Sequence, residues 1–133
     1  LRARATSLGI ERNIRWLGER DDVPAILGRT DLGILCSHQE GFSNSILEGM
    51  AAGLAMVVTD VGGNREAVVD GVSGLVVSPR DPTALEAAIL ALARDPDRRA
   101  EMGAAARDRV HDHFSMDACV AAYMRLYDGL VTP

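Results

Sequence analysis

Ser37-His38-Gln39-Glu40-Gly41-Phe42-Ser43-Asn44-Ser45-Ile46-Leu47-Glu48-Gly49-Met50-Ala51-Ala52-Gly53 is the stretch around which this chain is organised. A run of the kind that forms a buried strand, Asp31 to Cys36, leads into it, and a helix from about Asn44 to Ala52 leads out. Between them lies a turn of Glu40, Gly41, Phe42 and Ser43. Strand-to-helix turns at the carboxyl edge of a parallel sheet are where open α/β folds place ligands. The start of the helix offers unpaired backbone N–H groups and the positive end of the helix dipole, a setting that draws phosphates. Gly41 lets a ligand reach the backbone without meeting a Cβ. Glu40 before the helix and Glu48 inside it are acceptors for paired hydroxyls, which sugars carry in number. The chemistry implied is a ligand with phosphates at one point and hydroxyls around it, a nucleotide sugar.

Outward from this centre, the sequence alternates strands with helices. On the N-terminal side, Leu1 to Leu8 reads as a helix stopped at Gly9, and Ile14, Trp16 and Leu17 as a short strand ending at Gly18. Glu19 to Asp22 is a polar turn, and Asp21 or Asp22 caps a helix from Val23 to Leu27 or Gly28. On the other side, Gly53 ends the central helix and Ala55 to Thr59 is a continuous apolar strand, the pattern of a strand covered on both faces. A glycine-rich turn, Asp60 to Asn64, precedes a helical turn from Arg65 to Val69, and Gly74 to Val77 is a further strand. Asp81-Pro82 and Asp95-Pro96 each place an acidic cap before a proline in the first helical turn. They open helices to about Arg94 and about His113, the first with Leu85, Ile89 and Leu92 on one face; Ser115 caps a last helix to about Leu130. The fold class expected is α/β, a three-layer Rossmann-like parallel sheet with flanking helices and four strands near 13–17, 31–36, 55–60 and 73–77.

Composition narrows the function. The chain has 133 residues, 47% of them apolar, and a net charge of −5, which gives no support for nucleic acid as a partner. All 14 basic residues are arginine, which reads as a compositional bias. Cys36 and Cys119 lie far apart, without paired-cysteine spacing, and Cys36 at a strand end reads as a buried small apolar residue. No signal peptide and no membrane-length apolar run is seen, so a cytoplasmic protein is expected, with membrane association only through parts outside these residues. Asp95-Pro96-Asp97 imitates a metal-binding Asp-x-Asp motif but reads better as a cap. His111, Asp112 and His113 fan around a helix and do not converge. Neither a metal nor a cofactor is expected.

The series Glu40-Gly41-Phe42, Leu47-Glu48, Met50-Ala51, Met56 to Thr59, Val61-Gly62-Gly63, Glu66, Asp70-Gly71, Gly74 to Val77, Pro79, Asp95-Pro96, Ala106-Arg107 and Phe114-Ser115 runs in order from roughly Asn13 to the C-terminus. It resembles the Glu-x7-Glu region of retaining glycosyltransferases with the two-domain GT-B fold, the large group called family 4 or group 1. The resemblance implies that residues 1–133 are the later part of a C-terminal donor-binding domain, with the N-terminal acceptor domain absent. It implies a nucleotide-diphosphate sugar as partner and hexosyl transfer in polysaccharide, glycolipid or glycoconjugate synthesis. Glu40 would contact sugar hydroxyls and act in catalysis, and Glu48 would hold the ribose hydroxyls. Gly41, Phe42, Ser43 and Asn44 would present N–H groups to the sugar and diphosphate. Gly18 and Glu19 would lie at the nucleobase, although a plain turn explains them equally well.

Blander readings stand beside these. Glu40 and Glu48 alone are also what a solvated loop acid and an exposed helix acid look like, and only the surrounding series favours a ligand. The Phe42 side chain reads as core filler beneath the turn, and Ser43 as an N-cap that also aims the turn. Gly62-Gly63 with Glu66 is equally a structural turn and a helix-start acid. The rival functions are a nucleotide-sugar epimerase on a related fold and a non-catalytic nucleotide-binding or interaction module. In the strand order 3-2-1-4-5-6, two strands outside this sequence would separate 13–17 from 31–36, unless those two pair directly. Open strand edges and an uncovered helix face at Tyr123, Leu126, Tyr127 and Leu130 then make residues 1–133 alone poorly stable and inactive.

Overall fold

The computed structural model describes residues 1–131. Eleven short elements follow in order: α1 (Arg2–Ser7), a 3-10 turn (Glu11–Asn13), α2 (Val23–Leu27), β1 (Gly33–Leu35), α3 (Asn44–Ala51), β2 (Met56–Thr59), α4 (Asn64–Ala67), β3 (Gly74–Val77), α5 (Pro82–Ala93), α6 (Pro96–Phe114) and α7 (Met116–Val131). The sheet is parallel, in the order β1-β2-β3, with Ile34 opposite Val57 and Val57 opposite Leu75. All four residues of the central strand are buried, as its unbroken apolar run requires.

Two apolar layers sandwich that strand. On one face Met56 and Val58 meet Ile46 and Met50 of α3, Ala67 of α4 and Ala106 of α6. On the other, Ala55 and Val57 meet Ala88 and Leu92 of α5 and Met102 of α6, with Leu85 and Ile89 beside them. Thus α6 touches both layers. It also carries three arginines that reach the carboxyl ends of other helices. Arg99 donates to the carbonyls of Leu92 and Ala93 on α5 at 2.6 and 3.0 Å. Arg107 donates to Ala52 just after α3 at 3.3 Å, and Arg109 to Glu66 and Ala67 of α4 at 2.7 and 2.8 Å. A guanidinium suits this work because its fork satisfies two orphan carbonyls and its charge complements the negative helix end.

The Asp-Pro starts behave as caps: Asp81 accepts from the Ala84 N–H at 2.9 Å and Asp95 from the Arg98 N–H at 3.0 Å. Ser115 does the same for α7, accepting from Ala118 at 3.2 Å. Asp22 sits at the N-cap of α2, but its carboxylate does not cap the helix. It pairs instead with Arg20 at 2.5 Å, which holds the Asp22 carboxyl below its ordinary range.

Two further expectations fail. The segment 13–17 is not a strand: Ile14 is extended, but no strand lies alongside, and Trp16 and Leu17 are exposed beneath no layer. Arg2 stacks on the Trp16 ring at 5.1 Å instead. An extended segment needs a ladder partner, and β1 pairs only with β2 among the described residues. Cys36 is exposed, not buried, because it lies past the end of β1 at the edge of the sheet. No helix among the described residues is long and apolar enough to cross a membrane.

Candidate functional site

The carboxyl ends of β1 and β2 build the turn. Beyond β1, the Ser37 hydroxyl donates to the Glu40 carboxylate at 2.6 Å. Beyond β2, the Thr59 hydroxyl donates to the Ser37 carbonyl at 2.7 Å. The central strand therefore holds Ser37, and Ser37 holds Glu40. A carboxylate fixed by one hydroxyl keeps acceptor sites for further donors.

After Glu40 the backbone turns into α3. Asn64 to Ala67 forms α4, and the loop before it passes under the turn. The Gly63 N–H donates to the Gly41 carbonyl at 2.6 Å. Gly62 has φ +51, and a Cβ there would collide with the Glu40 carbonyl and lie 2.6 Å from that of Gly41. A Cβ on Gly63 would lie 2.7 Å from the Phe42 ring. Only glycine fits this close crossing. Buried Asn64 ties the loop to β2 by donating to the Thr59 carbonyl at 2.9 Å. Exposed Arg65 and Asp60 pair at 2.8 Å, which raises the Arg65 pKa.

The outer side of the turn is open. A Cβ on Gly41 would meet nothing within 4 Å. The N–H groups of Gly41, Phe42, Ser43 and Asn44 donate to no acceptor among the described residues. Ser43 holds the N-cap position with extended backbone, yet its side chain makes no capping bond. The turn thus presents four backbone donors at the positive end of a helix, an arrangement that binds anionic oxygens.

Phe42 is not core filler. It is 41% exposed and stacks on Phe114 of α6, with ring centroids 5.5 Å apart. The layers beneath the turn are already filled by Ile46 and Met50, so the ring lies across the surface between Gly63 and Phe114. Glu48 is exposed on α3, one helical turn beyond Asn44. It lines a groove of about 530 Å³ with Val23, Pro24, Leu27 and Gly28 of the α2 segment and Ala51 and Ala52. Gly18 and Glu19 are exposed, Gly18 with φ +67, and neither makes a hydrogen bond among the described residues.

Sequence reasoning overlooked Ser37, Thr59 and the approach of Gly62 to Glu40. The Ser-x-x-Glu spacing of Ser37 and Glu40 was a usable local signal. The other two contacts join segments about twenty residues apart, which no local pattern records. Among the described residues no three His, Cys, Asp or Glu side chains gather where a metal could be held. His111 and Asp112 form an exposed pair at 3.0 Å.

Comparison with known proteins identifies the family and the fold. The family model for glycosyl transferases group 1 matches residues 1–109. The chain is 32% identical to N-acetyl-alpha-D-glucosaminyl L-malate synthase of Bacillus anthracis over 91% of its own length and 32% of that protein's. It is 35% identical to glycogen synthase of Mycobacterium tuberculosis over 87% of its length and 28% of that protein's. It therefore spans about a third of these relatives. The structure also superposes on HepE of Anabaena, crystallised with UDP-glucose, with a TM-score of 0.84 and 27% identity over 96% of this chain and 35% of that one. The chain belongs to the glycosyl transferases group 1 family, and its parallel sheet and flanking helices are part of a GT-B fold.

Proposed function

We propose that residues 1–133 form the donor-binding side of a retaining, family 4 glycosyltransferase, the later part of its C-terminal domain. The observation that carries this reading is the turn from Gly41 to Asn44, whose four unpaired N–H groups are framed by two acids. A nucleoside diphosphate sugar suits each part. The diphosphate sits on the N–H groups at the start of α3. Glu40, oriented by Ser37, accepts from sugar hydroxyls. Glu48 accepts from the ribose hydroxyls, with the α2–α3 groove beside it for the nucleoside. The UDP-glucose bound by HepE supports this choice of donor class.

Chemistry then requires an acceptor, which a partner domain outside these residues would position. The leaving diphosphate oxygen takes the proton of the incoming hydroxyl on the same face of the sugar, so that no protein nucleophile is needed. The chain's contribution is electrostatic: the fixed N–H dipoles stabilise the charge that develops on the leaving phosphate. Polysaccharide, glycolipid or another glycoconjugate is the acceptor class, and the cytoplasm, where nucleotide sugars are made, is the compartment.

The test uses the complete natural chain with UDP-glucose, UDP-N-acetylglucosamine, GDP-mannose and ADP-glucose. Glu48→Ala should weaken donor binding about tenfold, the scale of a lost charged hydrogen bond, and Glu40→Ala should cut turnover about a hundredfold. Proton NMR of the product should show the donor's anomeric configuration kept. If neither variant changes the kinetics, the site assignment is wrong.

A further inference from the structure

Phe42, Phe114, Arg109, α4 and Gly63 form a closed ring of contacts that returns to the donor turn. Phe42 leaves the turn and stacks on Phe114 at 5.5 Å, with the rings tilted 41°. The Arg109 guanidinium lies over the other ring of that pair, 5.5 Å from the Phe114 centroid. The same guanidinium donates to the carbonyls of Glu66 and Ala67, the carboxyl end of α4. At the other end of α4, Gly63 donates to the Gly41 carbonyl at 2.6 Å and lies against the Phe42 ring. The turn is thereby gripped twice, by its Gly41 backbone and by its Phe42 side chain, and Arg109 touches the partner on each side, Phe114 and α4.

We propose that Phe114 and Arg109 of α6 are positioning residues for the Gly41–Asn44 donors, acting through Phe42 and α4 without touching the donor. This rests on the reading of the turn as the phosphate site. Several features favour a positioning role over ordinary core packing. Phe42 is 41% exposed and Phe114 half-buried, so the pair contributes little to the apolar layers. The ring contacts instead restrain a segment whose N–H groups carry no internal partner, adding to the bonds accepted by its Gly41 and Ser43 carbonyls. Offset aromatic pairs and guanidinium stacking are directional, so they set an orientation as well as burying area. Donor hydrogen bonds that must meet a phosphate at fixed distances are sensitive to shifts of an ångström.

The experiment measures donor KM and kcat in the complete natural chain, with whichever of the four nucleotide sugars above it turns over. Phe114→Leu keeps an apolar side chain and loses the ring. It should raise donor KM about tenfold, with kcat changed less than about threefold. Phe114→Tyr restores the ring and should return KM to within about twofold of wild type. Arg99→Met is the comparison. It removes an equivalent α6 contact, to Leu92 and Ala93 of α5, which belong neither to the turn nor to the α2–α3 groove. It should lower the melting temperature without moving donor KM. Phe42→Leu combined with Phe114→Leu should raise KM no further than either change alone, because both break the same contact. Because both rings reach solvent, these variants should fold; additive effects, or a KM for Phe114→Leu that matches Arg99→Met, would overturn the proposal. If Glu48→Ala weakens donor binding and Phe114→Leu does not, the brace fails while the site stands. If neither changes donor binding, both fall together.

Discussion

The Ser37 hydroxyl donates to the Glu40 carboxylate at 2.6 Å, and Ser37 is itself held from the end of the central strand by Thr59. The acid proposed to contact the sugar is thus aimed by the sheet, through a residue that need not touch the ligand. Ser37→Ala should leave Glu40 free to swing. A hydrogen bond to a charged group contributes about 1.5–3 kcal/mol when buried, and Glu40 is only half-buried, so a loss of about five- to tenfold in kcat/KM is expected. Ser37→Thr should recover most of it. Steady-state kinetics with the preferred donor check this, and a wild-type value for Ser37→Ala would remove Ser37 from the site.

Gly62 gives a second prediction. Its φ of +51 is left-handed, and a side chain there would run into the Glu40 and Gly41 carbonyls. Gly62→Ala meets both penalties. The backbone conformation alone costs about 1–2 kcal/mol in a residue with a Cβ, and relief of the collision must shift the turn. Stability should fall by about 2 kcal/mol, or roughly 6–8 °C in melting temperature for a domain of this size. Donor affinity should fall with it. A variant with lowered melting temperature and unchanged donor affinity would show that the loop supports the fold but not the turn.

These relationships mark the boundary of what the sequence discloses. The unbroken apolar run from Ala55 to Thr59 could only be a strand covered on both faces, and it is. Asp81-Pro82 and Asp95-Pro96 encode their helix starts locally, and both carboxylates cap as expected. The order of strand, turn and helix around Glu40, Gly41 and Ser43 is legible because the three follow one another without interruption. Phe42 was misread because its exposure depends on Phe114, seventy-two positions away. Ile14, Trp16 and Leu17 have the composition of a strand, but pairing is a property of two segments, and theirs finds no partner in the described residues. Cys36 looked buried for the same reason: a strand end is covered only where something lies beside it. The arginines of α6 gave no sign in sequence that they would reach the ends of three other helices.

The exposed pair of His111 and Asp112 supplies a prediction about pH. The hydrogen bond to Asp112 raises the His111 pKa above the ordinary histidine value, and the charges of Asp112, Asp108 and Asp117 act in the same direction. A folded-state value above the unfolded one means that the pair's contribution is complete below the unfolded pKa, about 6.5. It is lost as pH rises through the higher folded value. Both groups are exposed and adjacent in sequence, so the effect is best read by titration. Asp112→Asn should move the His111 transition to lower pH in an NMR titration of its ring protons. An unmoved transition would assign the shift to the other carboxylates.

The last prediction concerns α7. Tyr123, Leu126, Tyr127 and Leu130 are between 57% and 73% exposed, and Met116, Val120 and Met124 add to the same helix. Tyr123 and Tyr127 stack on one another at 6.4 Å, one turn apart, and both stay more than half exposed among the described residues. Exposed apolar surface of this extent is a liability in water, where its removal is worth about 25 cal/mol per Å². The free edge of β1 adds unpaired backbone groups to that liability. Residues 1–133 expressed alone should therefore self-associate, bind a hydrophobic dye, and unfold over a broad range, without transferase activity. Leu126→Glu with Leu130→Lys should reduce both association and dye binding while leaving the α3 and α5 layers intact, since neither residue enters them. Sedimentation velocity and thermal melts decide the matter. A monomeric wild-type chain with a sharp transition would show that this helix face needs no cover, and transfer activity in that chain would show that donor binding and catalysis are both complete within it.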